Sequence, residues 1–208
     1  TLFDGTAIAA VAGCGFSVRH LVQGGATLAV PCGAPVLSLA RAVAMVSGEA
    51  TEAKERKREL LVASTAGGGF VLVTLSQEAD SGEVSARLSR YSLPPPVGED
   101  AEVAAGADAW LLAAQTVRDG EEVAVLLYRV LGKGDVEVAA LRLGEAPACT
   151  RLASLRGSCL PLGGCWCSPG CAFLAGQEGF RLVVPATSGG EASTQGNTAM
   201  LPGGDGAA

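Results

Sequence analysis

The sequence has little charge and only one histidine. Charged residues make up 17% of the 208 positions, and the formal net charge is -6. Because neutralising phosphates requires clustered Lys and Arg, this balance argues against a protein that holds nucleic acid or an anionic membrane by bulk electrostatics. The single histidine, His20, excludes metal sites built from several histidines and limits Ser-His or Cys-His catalysis to one residue. We expect His20 to be an exposed residue at the end of a strand.

Long apolar runs are also missing, although 49% of the residues are hydrophobic. A membrane-spanning helix needs about 20 apolar residues, and the nearest candidate is interrupted by Pro31, Gly33 and Pro35. We therefore expect no membrane segment in this chain. No basic segment followed by an apolar one is visible at the start, so we expect no signal peptide and a cytoplasmic location. The sequence opens with Thr1 rather than Met, which is compatible with a fragment or a processed product.

Sequence signatures of catalysis are missing as well. Neither the phosphate-binding pattern G-x-x-x-x-G-K-[ST] nor G-x-S-x-G occurs, and residues 132–134, GKG, predict a hairpin turn. We therefore assign no catalytic residue and no cofactor, and an enzyme is the less favoured prediction. The following acidic residues fall in predicted loops, where carboxylates are usually solvated: Asp80, Glu83, Glu99, Asp100, Glu121 and Glu122.

Short apolar segments separated by glycine are what the sequence does contain, and this pattern is typical of strands. Residues 9–21, 60–75 and 172–184 share one plan, in which two apolar strands flank a glycine-containing turn. In each of them the second strand opens with Gly-Phe. Residues 110–130 form a fourth copy, in which Asp119-Gly120 supplies a favoured hairpin turn.

The four hairpins recur at nearly even spacing, which predicts an internal repeat. Their turn glycines, Gly15, Gly69, Gly120 and Gly179, are separated by 54, 51 and 59 positions. A repeat of about 40 to 50 residues with several strands is typical of the blades of a β-propeller, with longer periods absorbed by loop insertions. Residues 186–208 lose the pattern and are rich in Gly, Ser, Thr and Ala, which predicts a disordered tail.

One segment then resembles a known repeat. Residues 166–170 read WCSPG, 173–176 read FLAG and 178–179 read EG. This order is similar to the WD40 repeat, whose blades often read W-S-P-x-G, then L-A-x-G, then D-G. Residues 35–75 resemble a second blade, with PVLSLA as its inner strand and LLVASTAGGGFVLVTL as the next two. The terminal Trp-Asp of the family is replaced by Val183-Val184.

The resemblance implies an all-β fold over residues 1–185, a propeller-like stack of three to four WD40-like blades with Trp110 and Trp166 in the blade core. Since WD40 rings usually have about seven blades, and propellers about 4 to 8, it implies a partial propeller, completed by further chain or another subunit. It also implies a non-catalytic scaffold that binds protein partners through its blade loops or ring face. The alternative is a propeller enzyme or enzyme regulator, with loop carboxylates gathered at the centre of the ring.

The seven cysteines leave a third alternative open, a small zinc-binding β domain. Four cysteines lie close together in sequence and are weak candidates for a metal site: Cys159, Cys165, Cys167 and Cys171. Structural zinc typically takes two C-x₂₋₄-C pairs, and the C-x-C of this segment fits that spacing poorly. Cys14, Cys32 and Cys149 lie in apolar strands or beside turns. We therefore favour buried free thiols, which behave as small hydrophobic side chains.

Overall fold

The apolar segments fold as fifteen short strands among the residues that the structure describes. The computed structural model describes residues 2–5, 7–21, 27–43, 57–78, 83–93, 107–117, 122–131, 135–145, 147–155, 161, 163–168, 171–176, 179–184 and 197–201. A 3₁₀ turn, Phe3–Gly5, precedes the strands β1 (Ala7–Ala12), β2 (Gly15–His20), β3 (Thr27–Pro31), β4 (Val36–Val43), β5 (Lys57–Thr65), β6 (Gly69–Gln77), β7 (Val84–Ser92), β8 (Ala109–Val117), β9 (Glu122–Val130), β10 (Val136–Leu143), β11 (Ala148–Leu155), β12 (Gly163–Ser168), β13 (Cys171–Gly176), β14 (Gly179–Val184) and β15 (Asn197–Leu201). No described helix is long and apolar enough to span a membrane.

The strands form antiparallel meanders in sequence order. We name them the first blade (β1–β3), the second (β4–β7), the third (β8–β11) and the fourth (β12–β15). The second and third blades are joined into one sheet of eight strands, in the order β11-β10-β9-β8-β4-β5-β6-β7. The junction is a short parallel pairing between β4 and β8, with Ala42 opposite Ala114 and Val43 opposite Gln115.

The first strands of the second, third and fourth blades, which we call leading strands, lie side by side. β4 contacts β8, and β8 contacts β12, while the second strand of one blade contacts the leading strand of the next. Sheets that meet along their leading strands and otherwise stack face to face are the blades of a propeller. The predicted all-β, partial propeller of three to four blades is therefore confirmed, with four blades among the described residues.

Three hydrophobic cores fill the spaces between neighbouring blades. The core between the first and second blades contains Phe16, Val18, Val30, Leu61, Ala63, Val71, Val73 and Leu75. The core between the second and third contains Val62, Phe70, Leu72, Val123, Val125, Leu127, Ala139 and Leu141. The core between the third and fourth contains Leu126, Val136, Val138, Leu152, Ala172 and Leu174, with Trp166 packed against it. Trp166 therefore packs against a blade core as predicted, and Trp110 is half-buried and stacks on Tyr128 with 5.4 Å between ring centroids.

Strands in the middle of a blade are buried on both faces. In β5, Leu61 and Ala63 point into the core with the first blade, while Val62 points into the core with the third. Successive side chains of a strand alternate between faces, so a strand between two cores must be apolar at every position. This requirement explains the continuous apolar run at the centre of β5.

The shared Gly-Phe dipeptides have a steric cause. Gly15 and Gly69 each open the strand after a tight turn, and Phe16 and Phe70 are the first core side chains beyond it. A Cβ at Gly15 would collide with the carbonyl oxygen of Val30, and one at Gly69 would lie 2.5 Å from Oγ1 of Thr65. Gly15 is therefore required by close approach to the backbone of β3, whereas a side chain at position 69 would force the Thr65 side chain to move.

The fourth predicted repeat copy is a hairpin, but it occupies a different place in its blade. β5–β6 and β13–β14 are the second and third strands of their blades, whereas β8–β9 are the first and second. The equivalent hairpin of the third blade is β9–β10, which flanks residues 132–134. The nearly even spacing that included Gly120 therefore compared hairpins at different places in their blades. Every turn of an antiparallel meander has a similar glycine signal, so the spacing alone did not distinguish them.

The prediction of a disordered tail over residues 186–208 is wrong for one segment. Residues 197–201 form β15, which pairs with β14 from Phe180 opposite Leu201 to Val184 opposite Asn197. The segment NTAML is extended and partly apolar, and it completes the fourth blade on the edge of β14. The other residues of 186–208 lie outside the described part of the chain.

A polar contact connects the second and third blades near their leading strands. A register shift between Leu111 and Ala113 interrupts the pairing of β8 with β9, and the Leu111 amide donates to Oγ of Ser38 at 2.8 Å. The same oxygen lies 2.7 Å from Oγ of Ser64. Because a buried amide must find an acceptor, Ser38 stabilises the irregularity in β8 from the neighbouring blade.

We expect Leu127→Ala to lower the free energy of unfolding by about 2–5 kcal/mol, since it leaves a cavity in the core between the second and third blades. Val130→Ala, three residues along the same strand and 39% exposed, is the matched control and should change it by well under half as much. Urea denaturation followed by circular dichroism measures both. Equal losses in the two variants would contradict the stacking of these blades.

Candidate interaction surface

The four cysteines proposed as zinc ligands fall on two neighbouring strands and the segment before them. Cys165 is exposed on β12, Cys167 lies on the same strand, and Cys171 begins β13, where its backbone is opposite Ser168. Cys159 lies outside the described residues. Within the described part of the chain, no three His, Cys, Asp or Glu residues are grouped as a metal site would require. The zinc site stays a prediction.

The expectation of buried thiols is correct for one cysteine and wrong for two. Cys32 is buried beside the first core, and its thiol lies 3.9 Å from the carbonyl oxygen of Val30. Cys14 occupies the turn between β1 and β2 and is exposed, as is Cys165. A thiol in a two-residue turn has no neighbouring sheet to cover it, so apolar surroundings in sequence did not ensure burial. Cys149 is half-buried at the edge of the second core.

Burial raises the pKa of the Cys149 thiol, with a further increase from Glu137 and an opposing decrease from Arg129. Burial also raises the pKa of the Cys32 thiol, against a decrease caused by Arg90. The thiolate is the nucleophilic form, so a raised pKa leaves less of it at neutral pH. Neither cysteine has the features of a reactive nucleophile.

We expect alkylation of Cys149 by iodoacetamide to have a higher pH midpoint in the native protein than in urea, where the thiol has its ordinary pKa. Exposed Cys14 should be alkylated first at neutral pH because the reagent reaches it directly. Peptide mapping by mass spectrometry after timed quenching measures both rates. Coincident native and denatured profiles for Cys149 would contradict its burial.

The other residues considered for catalysis are dispersed. His20 ends β2, which confirms its predicted place at the end of a strand, and its exposure stays a prediction. Glu83 directly precedes β7, the last strand of its blade, and Glu122 opens β9 with its Oε2 3.8 Å from Nε of Arg142. Neither described carboxylate lies on a leading strand, where a site at the centre of the ring would need it. The remaining four predicted loop carboxylates are outside the described residues.

A buried ion pair in the third blade is a feature that the sequence did not reveal. Arg129 on β9 lies opposite Glu137 on β10, with 2.9 Å between Nη2 and Oε1, and each side chain is 2% exposed. Ala109 is opposite Arg129 on the other side, and its small side chain leaves space for the guanidinium. Arg151 approaches from β11, with its Nε 4.0 Å from Oε2 of Glu137. The pair lies on the face that packs against the second blade.

The hydrogen-bonding capacity of this pair is only partly used. Nε and Nη1 of Arg129 and Oε2 of Glu137 are buried without a hydrogen-bond partner. Desolvating two charges is costly, and their attraction offsets that cost only while both remain. Removal of either charge would leave the other buried and uncompensated.

We expect Glu137→Leu alone to lower the free energy of unfolding by about 3–5 kcal/mol, because Arg129 then remains buried without its counter-charge. The double variant Arg129→Met with Glu137→Leu should recover most of that loss. A double-mutant cycle from urea denaturation of the four proteins gives the coupling. Additive effects of the two single variants would show that the charges do not depend on each other.

The edge of the first blade at β1 is an apolar edge that the structure leaves open within the described residues. β1 pairs with β2 along its whole length. On its other side, the only pairing within the described residues is the bridge between Leu2 and Ala7. The strand reads AIAAVA, without a charge, and Ile8 and Val11 are 37% and 48% exposed. Unpaired edges without charge or proline are templates for another strand.

Beyond its bridge with Ala7, the N-terminal segment is attached to the second blade. Phe3 is buried in the first core, and its amide donates to Oε1 of Glu59 at 2.9 Å. Arg41 donates to both oxygens of the same carboxylate, from Nε at 2.6 Å and from Nη2 at 2.8 Å. Glu59 thus fixes the segment at one end of β1, and no other described residue pairs with the outer side of this strand.

Comparison with known proteins gives a likeness of fold only. No family model matches the sequence, and no curated protein matches it. Among solved structures, the WD40 domain of SCAP from fission yeast is similar, with 12% identity and a TM-score of 0.49. The match covers 96% of this chain, which spans 40% of that domain's chain. The propeller architecture of this chain follows from its strand order and stacked cores rather than from that likeness.

Proposed function

We propose that this chain is a non-catalytic protein-interaction module, which binds a protein partner at the open first blade of its propeller. The observation that supports the proposal is the uncharged edge of β1, with Ile8 and Val11 exposed. Monomeric proteins normally protect such an edge with charge, proline or a covering element. The described edge strand of the second blade carries Arg87 and Arg90, and that of the third carries Arg151. The edge of β1 has none of these protections.

The proposal includes completion of the propeller by further blades of another chain or subunit, since propellers close with about 4 to 8 blades. Blade loops and the ring face are the other surfaces through which such a module would bind proteins. The first blade is favoured over them because it combines exposed apolar side chains with an unpaired backbone.

A photo-crosslinking amino acid at Ile8 tests the proposal in cells. We expect a discrete crosslinked protein from this position and none from the same amino acid at Val43, identified by mass spectrometry of the purified adducts. Val43 is the matched control because it is more exposed, at 65%, but lies at the parallel junction of β4 with β8. The same adducts from both positions, or none from Ile8, would refute the first blade as the binding site.

A further inference from the structure

We infer that the partner binds by strand addition: an extended, largely uncharged segment of another protein pairs antiparallel with β1 and becomes the leading strand of the first blade. The inference rests on the proposed function and specifies the chemistry of its partner.

The backbone of β1 directs unpaired hydrogen-bonding groups outward. A two-residue turn, with Gly13 at a φ of 59°, joins β1 to β2 and places Ala12 opposite Gly15. In such a hairpin the pair next to the turn is hydrogen-bonded, and so is every second pair after it. Ala9 and Val11 belong to the pairs between these, so their N–H and C=O groups point away from β2. Ala7 belongs to the same set, and its amide and carbonyl do bond outward, to Leu2 at 3.2 and 2.8 Å.

The position of β1 shows which strand would pair with it. β5 contacts β8, and β9 contacts β12, so in these blades the second strand contacts the leading strand of the next blade. β1 makes the same kind of contact with β4, so β1 occupies the position of a second strand in the first blade. The second, third and fourth blades each have a leading strand beside that position, and the first blade has none within the described residues. An added strand would therefore lie next to β4 and run parallel to it, in continuity with the leading strands β4, β8 and β12.

The leading strands of the neighbouring blades indicate the composition of the partner segment. β4 reads VLSLARAV and β8 reads AWLLAAQTV, so the two contain one charge in total, Arg41, and no proline. Side chains at this position alternate between the two faces of a blade, and the face toward the second blade requires apolar residues. A segment with several charges, or with proline inside the paired stretch, would not be accommodated.

A fluorescent peptide with the sequence of β4, residues 36–43, is the probe for this inference. We expect saturable binding to the 208-residue chain by fluorescence anisotropy. Val11→Pro removes one outward donor without touching the β1–β2 ladder, and it should weaken binding about tenfold or more. Val11→Lys places a charge at the same edge, keeps the backbone donor, and should weaken binding similarly.

Two controls make the result specific. Val130→Lys introduces the same charge at an exposed valine on β9 and should leave the affinity unchanged, and a peptide carrying Leu39→Pro should not bind. Circular dichroism and the thermal midpoint establish that each variant is folded. Absence of peptide binding, or equal binding to wild type and both Val11 variants, overturns strand addition.

The oligomeric state tests a second copy of this chain as the occupant. We expect a monomer by light scattering at the concentrations used for peptide binding. A dimer that dissociates in Val11→Pro would overturn the inference of another protein as partner. Because the crosslinking from Ile8 is independent of the peptide, crosslinks that persist in Val11→Pro would leave the proposed function intact while strand addition fails.

Discussion

Burial of blade faces against one another is the constraint on which the rest of the structure depends. An antiparallel sheet of three or four short strands cannot shield both of its faces, so each blade needs a neighbour. The second and third blades have a core on either side, and their middle strands are accordingly apolar at successive positions, as in Leu61 and Val62. The same constraint distinguishes the first and fourth blades, because among the described residues each of them has a neighbouring blade on one side only.

Polar groups then determine how neighbouring blades are aligned. Apolar contact is non-directional, whereas hydrogen bonds require particular atoms at particular distances. Ser38 receives the Leu111 amide across one blade boundary, and Glu59 receives the Phe3 amide across another. Asp108 accepts the amide of Gly67 in the same way. Each of these contacts joins residues from adjacent blades and selects one alignment among the many that the apolar faces alone would tolerate.

The sequence predicted the elements well and their connections less well. Residues 35–75 were assigned a leading strand and a hairpin that the structure contains, because local turn and alternation signals are sufficient for a meander. The polar residues that matter were not recognised. Glu59 directly follows the charged run 54–58, and nothing in that run indicates burial. It is buried because Arg41 and Phe3, which come from distant parts of the chain, bind its carboxylate. Arg129 is likewise buried because the second blade covers it, and the sequence around Arg129 contains no signal of that contact.

The meander topology has a kinetic consequence. Nearly every strand pair joins segments adjacent in sequence, and the parallel junction of β4 with β8 is the exception, joining Ala42 to Ala114. Loop closure therefore costs little entropy within a blade and more between blades. Each blade is a unit that forms through local contacts and adds to a neighbour already folded, as in other repeat architectures. During synthesis, the chain would grow its structure blade by blade, with the last apolar face always exposed until the next blade covers it.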